Sequence, residues 1–361
     1  MGKSPTVYDV AERAGVSIAT VSFAFTQPHR VKETTRNLVL EAAVALGYVP
    51  SASARGLAKG RTGALGLYSY DFLSDFNVMD RAGGGGGRSE GMADPYDDFR
   101  LFPVYVDEVQ RGVQLECVRR GYALMIGGGR NPASGGGAVD IAGRVDGLII
   151  FPQTIPAEVT RLLSARIPIV EISEPSHGDG LHHVTVDNAS AMRQLTEHLI
   201  HVHGLRRLVF VSIPNAETNS RYEGFTTAMR ASGLEAPPAL ESQYASPGGL
   251  IFNSLAPLLR EGQLPEGFVC ANDEAALLVM DALKAAGISV PGQVAVTGFD
   301  GVVAGRLARP ALTTVRQPME TMGRNAVDIL VGALADPGAA PVNRELPLEL
   351  VLRESCGCRP I

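Results

Sequence analysis

The chain has 361 residues, of which 45% are hydrophobic and 19% charged, and its formal net charge is −6 at pH 7. This length exceeds what one compact core usually holds, so a single small module is excluded and two or three domains are expected. The sequence has no run of about 18 apolar residues and no N-terminal export signal, which predicts a cytoplasmic protein with no membrane partner.

The charge is divided unevenly along the chain. Residues 1–61 hold eight basic and four acidic groups, which gives +4 and leaves −10 for the other 300 residues. A basic head on an acidic body favours a head that meets a polyanion, because phosphate neutralisation supplies much of the affinity for DNA. An ordinary solvated surface would also explain this distribution.

Three short helices are predicted at the start of the chain. A capping box at 6–9 begins the first, Ser17 caps a second over 18–25, and a third over 32–46 stops at Gly47. Two short helices joined by a tight turn are typical of a helix-turn-helix, whose second helix can enter the major groove.

After Arg61 the sequence alternates short apolar runs with helical stretches, beginning with ALGLYSY, RVDGLIIFP and IPIVEIS. This alternation predicts a parallel sheet with right-handed crossovers, and a second set of repeats begins near Asp187. The expected fold class is therefore α/β, with a three-helix head and a core of two similar lobes. A ligand of such a core binds beyond the carboxyl ends of the strands.

The sequence favours neither a metal site nor catalysis. Cys356 and Cys358 could bind a soft metal, but two free thiols are favoured because no second cysteine or histidine cluster lies nearby in sequence. His198 and His201 lie near a predicted helix end, where imidazoles interact well with the helix dipole. Because no HExxH, GxSxG or paired-cysteine zinc motif occurs, we predict no metal, no cofactor and no enzyme activity.

Eight segments, in order along the chain, resemble the LacI/GalR family of bacterial transcription regulators. They are TVYDVAERAGVSIATVS, VKETTRNLVLEAAVALGYVPSASARGLAKGRTGALGL, VDGLIIF, VDNASA, RYEGF, CANDEAAL, VTGFDG and RPALTTVRQP. The resemblance covers nearly the whole chain. It implies a homodimeric repressor of double-stranded operator DNA, controlled by a small-molecule effector, expected to be a sugar, between two core lobes like those of periplasmic binding proteins. The alternative is a cytoplasmic or exported solute-binding protein with no DNA role.

The resemblance also implies how the chain is divided. The expected parts are a head (1–49), a hinge helix or linker (50–61), a first lobe (62–186 with 317–343), a second lobe (187–316 with 344–354) and a tail (355–361). The chain would then cross between the lobes more than once.

By family correspondence, DNA contacts fall on the second helix, on its flanks and on the hinge. The residues expected to contact DNA are Val7, Tyr8, Ser17, Ile18, Ala19, Ser22, Phe23, Thr26, Arg30, Lys32, Ser51, Arg55 and Leu57. Many relatives carry Arg or His at the position of Phe23, so this side chain could contact a thymine methyl group or pack into the head core. Leu57 would wedge into the minor groove, although the composition around it also suits a flexible linker.

The effector contacts implied by the resemblance are Tyr70, Ser173, Arg221, Asn272 and Asp300. They lie at or after apolar strands, where polar tips would project into the cleft. An Arg fork and a carboxylate can clamp the hydroxyls of a sugar or the edges of a base. Alternatively, Arg221 and Asp300 form an ion pair that braces the second lobe.

Two glycine-rich patches interrupt the core. Relatives pass quickly over the position of 71–100, so this segment, with five glycines at 83–87, is predicted to be a flexible insertion beside the cleft mouth. The patch GGGRNPASGGG at 127–137 is predicted to be a surface loop. Neither patch matches GxGxxG or GxxxxGK[ST], so dinucleotide and ATP binding are not expected.

Overall fold

A computed structural model describes residues 5–50, 61–70, 104–129, 136–173, 178, 180–212, 216–241 and 250–359. The chain divides into two compact units, Met1–Gly63 and Ala64–Ile361. None of the helices described is long and apolar enough to cross a membrane. The predicted hinge residues Ser51, Arg55 and Leu57 and the predicted insertion 71–100 lie outside the described residues.

The described part of the first unit holds three α-helices, α1 (Val7–Ala14), α2 (Ile18–Thr26) and α3 (Glu33–Leu46), with a 3-10 turn at Pro28–Arg30. At the start of α1 the backbone N–H of Thr6 donates to Asp9 Oδ2 over 2.6 Å. Gly15 ends this helix in the left-handed conformation, with φ 65°. The Ser17 hydroxyl then accepts the Thr20 N–H at the start of α2. The predicted helix-turn-helix is therefore confirmed.

The head core is made of small and branched side chains. Val10, Val21 and Val39, one from each helix, are at most 1% exposed. Buried alanines beside them, including Ala11, Ala24 and Ala42, let the three helices approach closely.

The second unit contains two six-stranded sheets. The strands of the first are β1 (Ala64–Tyr70), β2 (Ala123–Gly129), β3 (Gly147–Ile150), β4 (Ile169–Ile172), β5 (His182–Val186) and β11 (Asn343–Leu346). The strands of the second are β6 (Leu208–Ser212), β7 (Leu240–Glu241), β8 (Gly267–Cys270), β9 (Ala295–Asp300), β10 (Thr313–Arg316) and β12 (Glu349–Val351). Their orders are β11-β5-β4-β3-β1-β2 and β12-β10-β9-β8-β6-β7.

All strand pairs are parallel except β10 with β12. Both sheets are therefore doubly wound in the same order, and both direct the carboxyl ends of their strands towards the edge where such folds bind ligands. The fold class predicted from the sequence is confirmed.

Among the described residues of the second unit, nine helices complete the two lobes. They are α4 (Val104–Arg120), α5 (Gly136–Ala142), α6 (Ala157–Ser164), α7 (Asn188–His201), α8 (Ala216–Ala231), α9 (Leu250–Glu261), α10 (Asp273–Ala285), α11 (Val303–Leu307) and α12 (Met319–Ala335). Helix α12 packs on α4 and on the first sheet, whereas α7 packs on α8 in the second lobe. The chain thus passes between the lobes three times, after β5, after β10 and after β11.

Two expectations need correction. The strand β11 pairs with β5 of the first sheet, so residues 344–346, assigned to the second lobe from the sequence, belong to the first. The glycine patch at 127–137 is not wholly a loop, because Gly127 lies in β2 and Gly137 in α5. A Cβ on Gly127 would stand 1.9 Å from Cδ1 of Ile141, so the Ile141 side chain would have to shift where α5 packs on the sheet.

Glycines also set the contact between α4 and α12. A Cβ on Gly112 would lie 2.0 Å from the Glu320 carbonyl oxygen. We expect Gly112→Ala to lower the free energy of unfolding by about 1–3 kcal/mol, because the backbones would have to separate. Gly332 on α12 is the matched control, since nothing lies within 4 Å of its Cβ position. Urea denaturation should find Gly332→Ala neutral or stabilising, and equal stability of the two variants would contradict this close contact.

Candidate DNA-binding surface and effector site

Helix α2 presents large apolar side chains to solvent. Ile18 is 42% exposed and Phe23 is 36% exposed. Phe23 stays outside the head core, which Phe25 joins in its place, and the Arg30 guanidinium lies 5.6 Å from the centre of its ring. Of the two interpretations of Phe23, the structure therefore excludes packing into the core. An exposed ring beside a cation is suited to a groove edge flanked by phosphates.

Most of the other predicted DNA contacts in the head are also on its surface. Those exposed are Tyr8, Ser17, Ala19, Ser22, Thr26, Arg30 and Lys32. Val7 differs, because it is half-buried and packs against the head core. The Thr26 hydroxyl donates to the Ser22 carbonyl oxygen over 2.7 Å, so it is engaged within α2. The polar and basic members surround Ile18 and Phe23 in sequence.

In the core, Arg221 of α8 is 3% exposed and is held on several sides. Its Nε donates to Asn188 Oδ1 over 2.8 Å, and its Nη1 donates to the Ala271 carbonyl oxygen over 2.6 Å. The guanidinium carbon lies 3.8 Å from the centre of the Phe299 ring. These contacts fix the plane of the Arg221 guanidinium group before any ligand binds.

Asp300, at the end of β9, lies beside Arg221. Its Oδ1 is 3.4 Å from Arg221 Nη1 and accepts the Gln317 Nε2 donor at 2.7 Å. Burial raises the pKa of Asp300 to about 6, while Arg221 and Gln317 oppose that rise. The residue has a φ of 108°, a strained value that residues other than glycine adopt mainly where function requires it.

The neighbourhood of Asp300 leaves one hydrogen-bond acceptor unused. Arg221 Nη2 forms an ion pair with Glu217, whose Oε2 lies 3.6 Å away. The Oε1 atom of Gln317 is buried and, within the described part of the chain, accepts no hydrogen bond. An acceptor thus remains available beside Asp300, to which a hydroxyl of a bound polyol could donate.

Ser173 faces this group from the first lobe. It follows β4 with a φ of 72°, is 2% exposed, and its hydroxyl hydrogen-bonds the Tyr105 hydroxyl. Burial, followed by the Glu217 carboxylate, raises the pKa of Tyr105 well above its usual value, so this phenol stays protonated. The charges of Asp300 and Arg221 in the second lobe also affect the pKa of Tyr105 in the first lobe: the carboxylate raises it and the guanidinium lowers it.

The remaining two predicted residues contribute differently. Asn272 caps α10, with its Oδ1 accepting the Ala275 N–H over 2.8 Å, so its side-chain oxygen already has a structural role. Tyr70 is the last residue of β1, and its side chain lies outside the described residues.

Sequence reasoning missed four residues around the cleft, namely Tyr105, Asn188, Glu217 and Gln317. Asn188 and Gln317 stand in the family-like segments VDNASA and RPALTTVRQP, so those segments could have indicated them. Tyr105 and Glu217 lie on helices, so a search for polar residues that follow apolar strands does not find them.

Glu274 adds a further acidic group to this region. Burial and the nearby Asp300 raise its pKa to about 8, and a backbone N–H of Val104 in the first lobe opposes that rise. This region of the second lobe therefore holds the carboxyl groups of Glu217, Glu274 and Asp300.

Comparison with known proteins agrees with both units. Residues 6–51 match the family described as "Bacterial regulatory proteins, lacI family", and residues 196–356 match the "Periplasmic binding protein-like domain". The HTH-type transcriptional repressor PurR of Haemophilus influenzae (strain PittEE) is 29% identical over 97% of this chain and 98% of its own. The PurR repressor of Glaesserella parasuis serovar 5 (strain SH0165) is 28% identical over the same shares.

Solved structures give the same picture. The complex of the transcriptional regulator CelR with cellobiose has a TM-score of 0.63 and 26% identity, and the match covers 97% of this chain and 99% of that one. The lac repressor dimer bound to operator and the anti-inducer ONPF has a TM-score of 0.75 at 23% identity, covering 98% and 99%. This second likeness establishes the fold.

The fold and the two sites define a class of protein: a helix-turn-helix DNA-binding transcriptional regulator with a two-lobed core that binds a small-molecule effector. The order of the matched domains and the similarity over nearly the full length support the LacI/GalR family of bacterial transcription regulators.

Proposed function

We propose that the protein represses transcription as a homodimer, with each head reading one half-site of a pseudo-palindromic operator. The observation that carries this proposal is the exposed apolar face of α2, where Ile18 and Phe23 have no role in the head core. A helix-turn-helix reader gains specificity from two-fold symmetry, because one short recognition helix contacts only a few base pairs.

The proposed contacts divide into two kinds. Ile18, Ala19 and Phe23 contact base edges, with the apolar side chains against thymine methyl groups. The residues that contact phosphates or the groove wall are Tyr8, Ser17, Ser22, Thr26, Arg30 and Lys32. Val7 supports α1 where this helix meets the DNA backbone. Ser51, Arg55 and Leu57 form the hinge contact, in which Leu57 enters the minor groove and bends the duplex.

The proposed effector is a sugar held by Arg221 and Asp300, with Ser173, Asn272 and Tyr70 completing the contacts. The unpaired Gln317 Oε1 acceptor beside the Arg221 guanidinium and the Asp300 carboxylate supports a ligand that carries hydroxyl groups. Cellobiose in the CelR complex and ribose bound to a LacI family regulator of Enterococcus faecium support the same class.

Effector and operator are proposed to be coupled through the angle between the lobes. A ligand that binds one lobe arrangement more tightly must shift the population towards it, and the operator affinity then changes by the same factor as the effector affinity. We propose that the protein acts in the cytoplasm, where its operator lies, and that no catalytic step, metal or cofactor takes part in this regulation.

A gel-shift assay with the full-length protein and the promoter region of its own gene tests the proposal. We expect a specific complex that weakens steeply with salt and whose stability changes when cellobiose, ribose or another recognised sugar is added. Absence of binding to this DNA, with and without sugars, would contradict the proposal and favour a solute-binding protein.

A further inference from the structure

The second lobe brings together two histidines and two cysteines that are far apart in sequence. His198 lies in the last turn of α7 and His203 just beyond it, while Cys356 and Cys358 belong to the C-terminal tail. One potential ligand atom from each residue falls in a group whose members all lie within 4.8 Å of one another. No role in DNA or effector binding accounts for this cluster.

Four of the six distances among these atoms are close to those of a tetrahedron around a small cation. The two Nε2 atoms are 3.1 Å apart, and Cys358 Sγ lies 3.4 Å from each of them. Cys356 Sγ is 3.9 Å from His198 Nε2. With Zn–N near 2.0–2.1 Å and Zn–S near 2.3 Å, a tetrahedral site needs N···N of about 3.3 Å and N···S of about 3.6 Å.

The tail is built to present both sulfur atoms on one side. Gly357, between the two cysteines, has a φ of 101°, and its Cβ position would lie 3.4 Å from the His203 ring. A side chain at this position would therefore be strained by the backbone conformation, and its Cβ would be in van der Waals contact with His203.

Hydrogen bonds hold the tail on the sheet. The Ser355 hydroxyl donates to the Val296 carbonyl oxygen over 2.6 Å and accepts the Thr313 N–H over 2.8 Å. The Thr313 hydroxyl donates to Cys356 Sγ over 3.0 Å, an interaction that would also stabilise a thiolate. The cysteines are thus placed by contacts that do not depend on a metal.

The chemistry of the donor set selects the metal. Two imidazoles and two thiols in tetrahedral arrangement suit Zn²⁺, whereas Mg²⁺ and Ca²⁺ prefer oxygen ligands. Each thiol would release its proton on binding, and the two thiolates would balance the 2+ charge. All four positions would be filled by protein, which is the pattern of structural rather than catalytic zinc.

We propose that His198, His203, Cys356 and Cys358 form a structural Zn²⁺ site that fastens the C-terminal tail to the end of α7. Ser355 meets Val296 near the start of β9, whereas Asp300 lies at the other end of that strand. The metal site and the effector site therefore occupy opposite ends of the second sheet, and zinc stabilises the lobe without touching the effector.

The test uses the full-length protein after removal of metal by a chelator under reducing conditions. We expect one Zn²⁺ per chain in a competition titration with a chromophoric zinc indicator, and a Tm higher by several degrees with zinc than without it. Co²⁺ in place of zinc should give the visible bands of a tetrahedral ion and a thiolate-to-cobalt charge-transfer band.

Two variants locate the site. Cys358→Ser should lower zinc affinity about 100-fold or more and remove the rise in Tm. His201→Gln is the matched control, because the exposed His201 side chain lies 3.5 Å from Ser232 Oγ and outside the cluster, so this variant should bind zinc as the unaltered chain does. If Cys358→Ser fails to fold, the Co²⁺ spectrum of the unaltered chain still tests the site, because this measurement needs no variant.

Substoichiometric zinc, an octahedral Co²⁺ spectrum, or unchanged affinity in a folded Cys358→Ser variant would each overturn the proposal. A loss of zinc in His201→Gln equal to that in Cys358→Ser would do the same, since the site would then lie elsewhere.

Discussion

Arg221→Lys is expected to abolish the effector response while the core stays folded. Lysine keeps the positive charge between Glu217 and Asp300 but lacks the planar guanidinium group, whose Nε and Nη1 donate in different directions. The loss of a buried, charged hydrogen-bonding group should weaken effector binding by about 3 kcal/mol, or roughly 100-fold or more in Kd. A thermal-shift screen of sugars and nucleosides identifies a ligand, and calorimetric titration then measures its affinity for both proteins.

Arg230→Lys is the control for this experiment. Arg230 lies on the same helix as Arg221 but is exposed, so its replacement should leave both effector affinity and Tm unchanged. Arg221→Ala is a second variant, in which the buried carboxylates lose their counterion and the Tm should fall. Full effector binding by Arg221→Lys would show that Arg221 only braces the second lobe. A rise in Tm with nucleosides but not with sugars would contradict the proposed sugar effector and indicate a nucleoside instead.

In the head, the double variant Ile18→Ala, Phe23→Ala is expected to lose operator recognition. Each side chain is exposed and makes no essential contact in the head core, so the head should remain folded. Loss of the apolar base contacts should cost about 1–3 kcal/mol in each half-site, and the two half-sites of a dimer add their losses. Binding to the specific operator should therefore weaken by about 100-fold, measured by gel shift at fixed salt.

The salt dependence separates base contacts from phosphate contacts. Lys32→Gln should reduce the slope of log K against log [salt] by about 1 for each head, whereas the double variant should keep the slope and lose sequence preference. Val44→Ala is the matched apolar control, because Val44 is 82% exposed on α3 and we assign it no DNA contact. Unchanged operator affinity in the double variant would contradict the proposed recognition surface.

Local signals in the sequence were sufficient for the head and for the class of the core. The capping box at Thr6, the cap at Ser17 and the turn at Gly15 act over a few residues, so sequence spacing alone predicts them. Apolar runs separated by helical stretches likewise predict parallel sheets, since each strand is buried on both faces.

Features that depend on distant contacts could not be predicted in the same way. In the sequence, Gly127 and Gly137 belong to a glycine-rich patch that is typical of a flexible loop. Only the packing of α5 on β2 shows that their Cβ positions lie close to other side chains. Gln317 becomes notable only when its unpaired Oε1 is seen beside Asp300. The sequence interpretation of the tail cysteines as free thiols relied on spacing, which cannot reveal that α7 ends against them.

The three passages between the lobes have a consequence for how the protein is made. Six residues of α12, among them Met322 and Leu330, complete the apolar core of the first lobe, and β11 supplies an edge strand of its sheet. During synthesis this core stays open until α12 and β11 have left the ribosome. The nascent first lobe therefore exposes an apolar surface while most of the second lobe is made, and aggregation can then compete with folding.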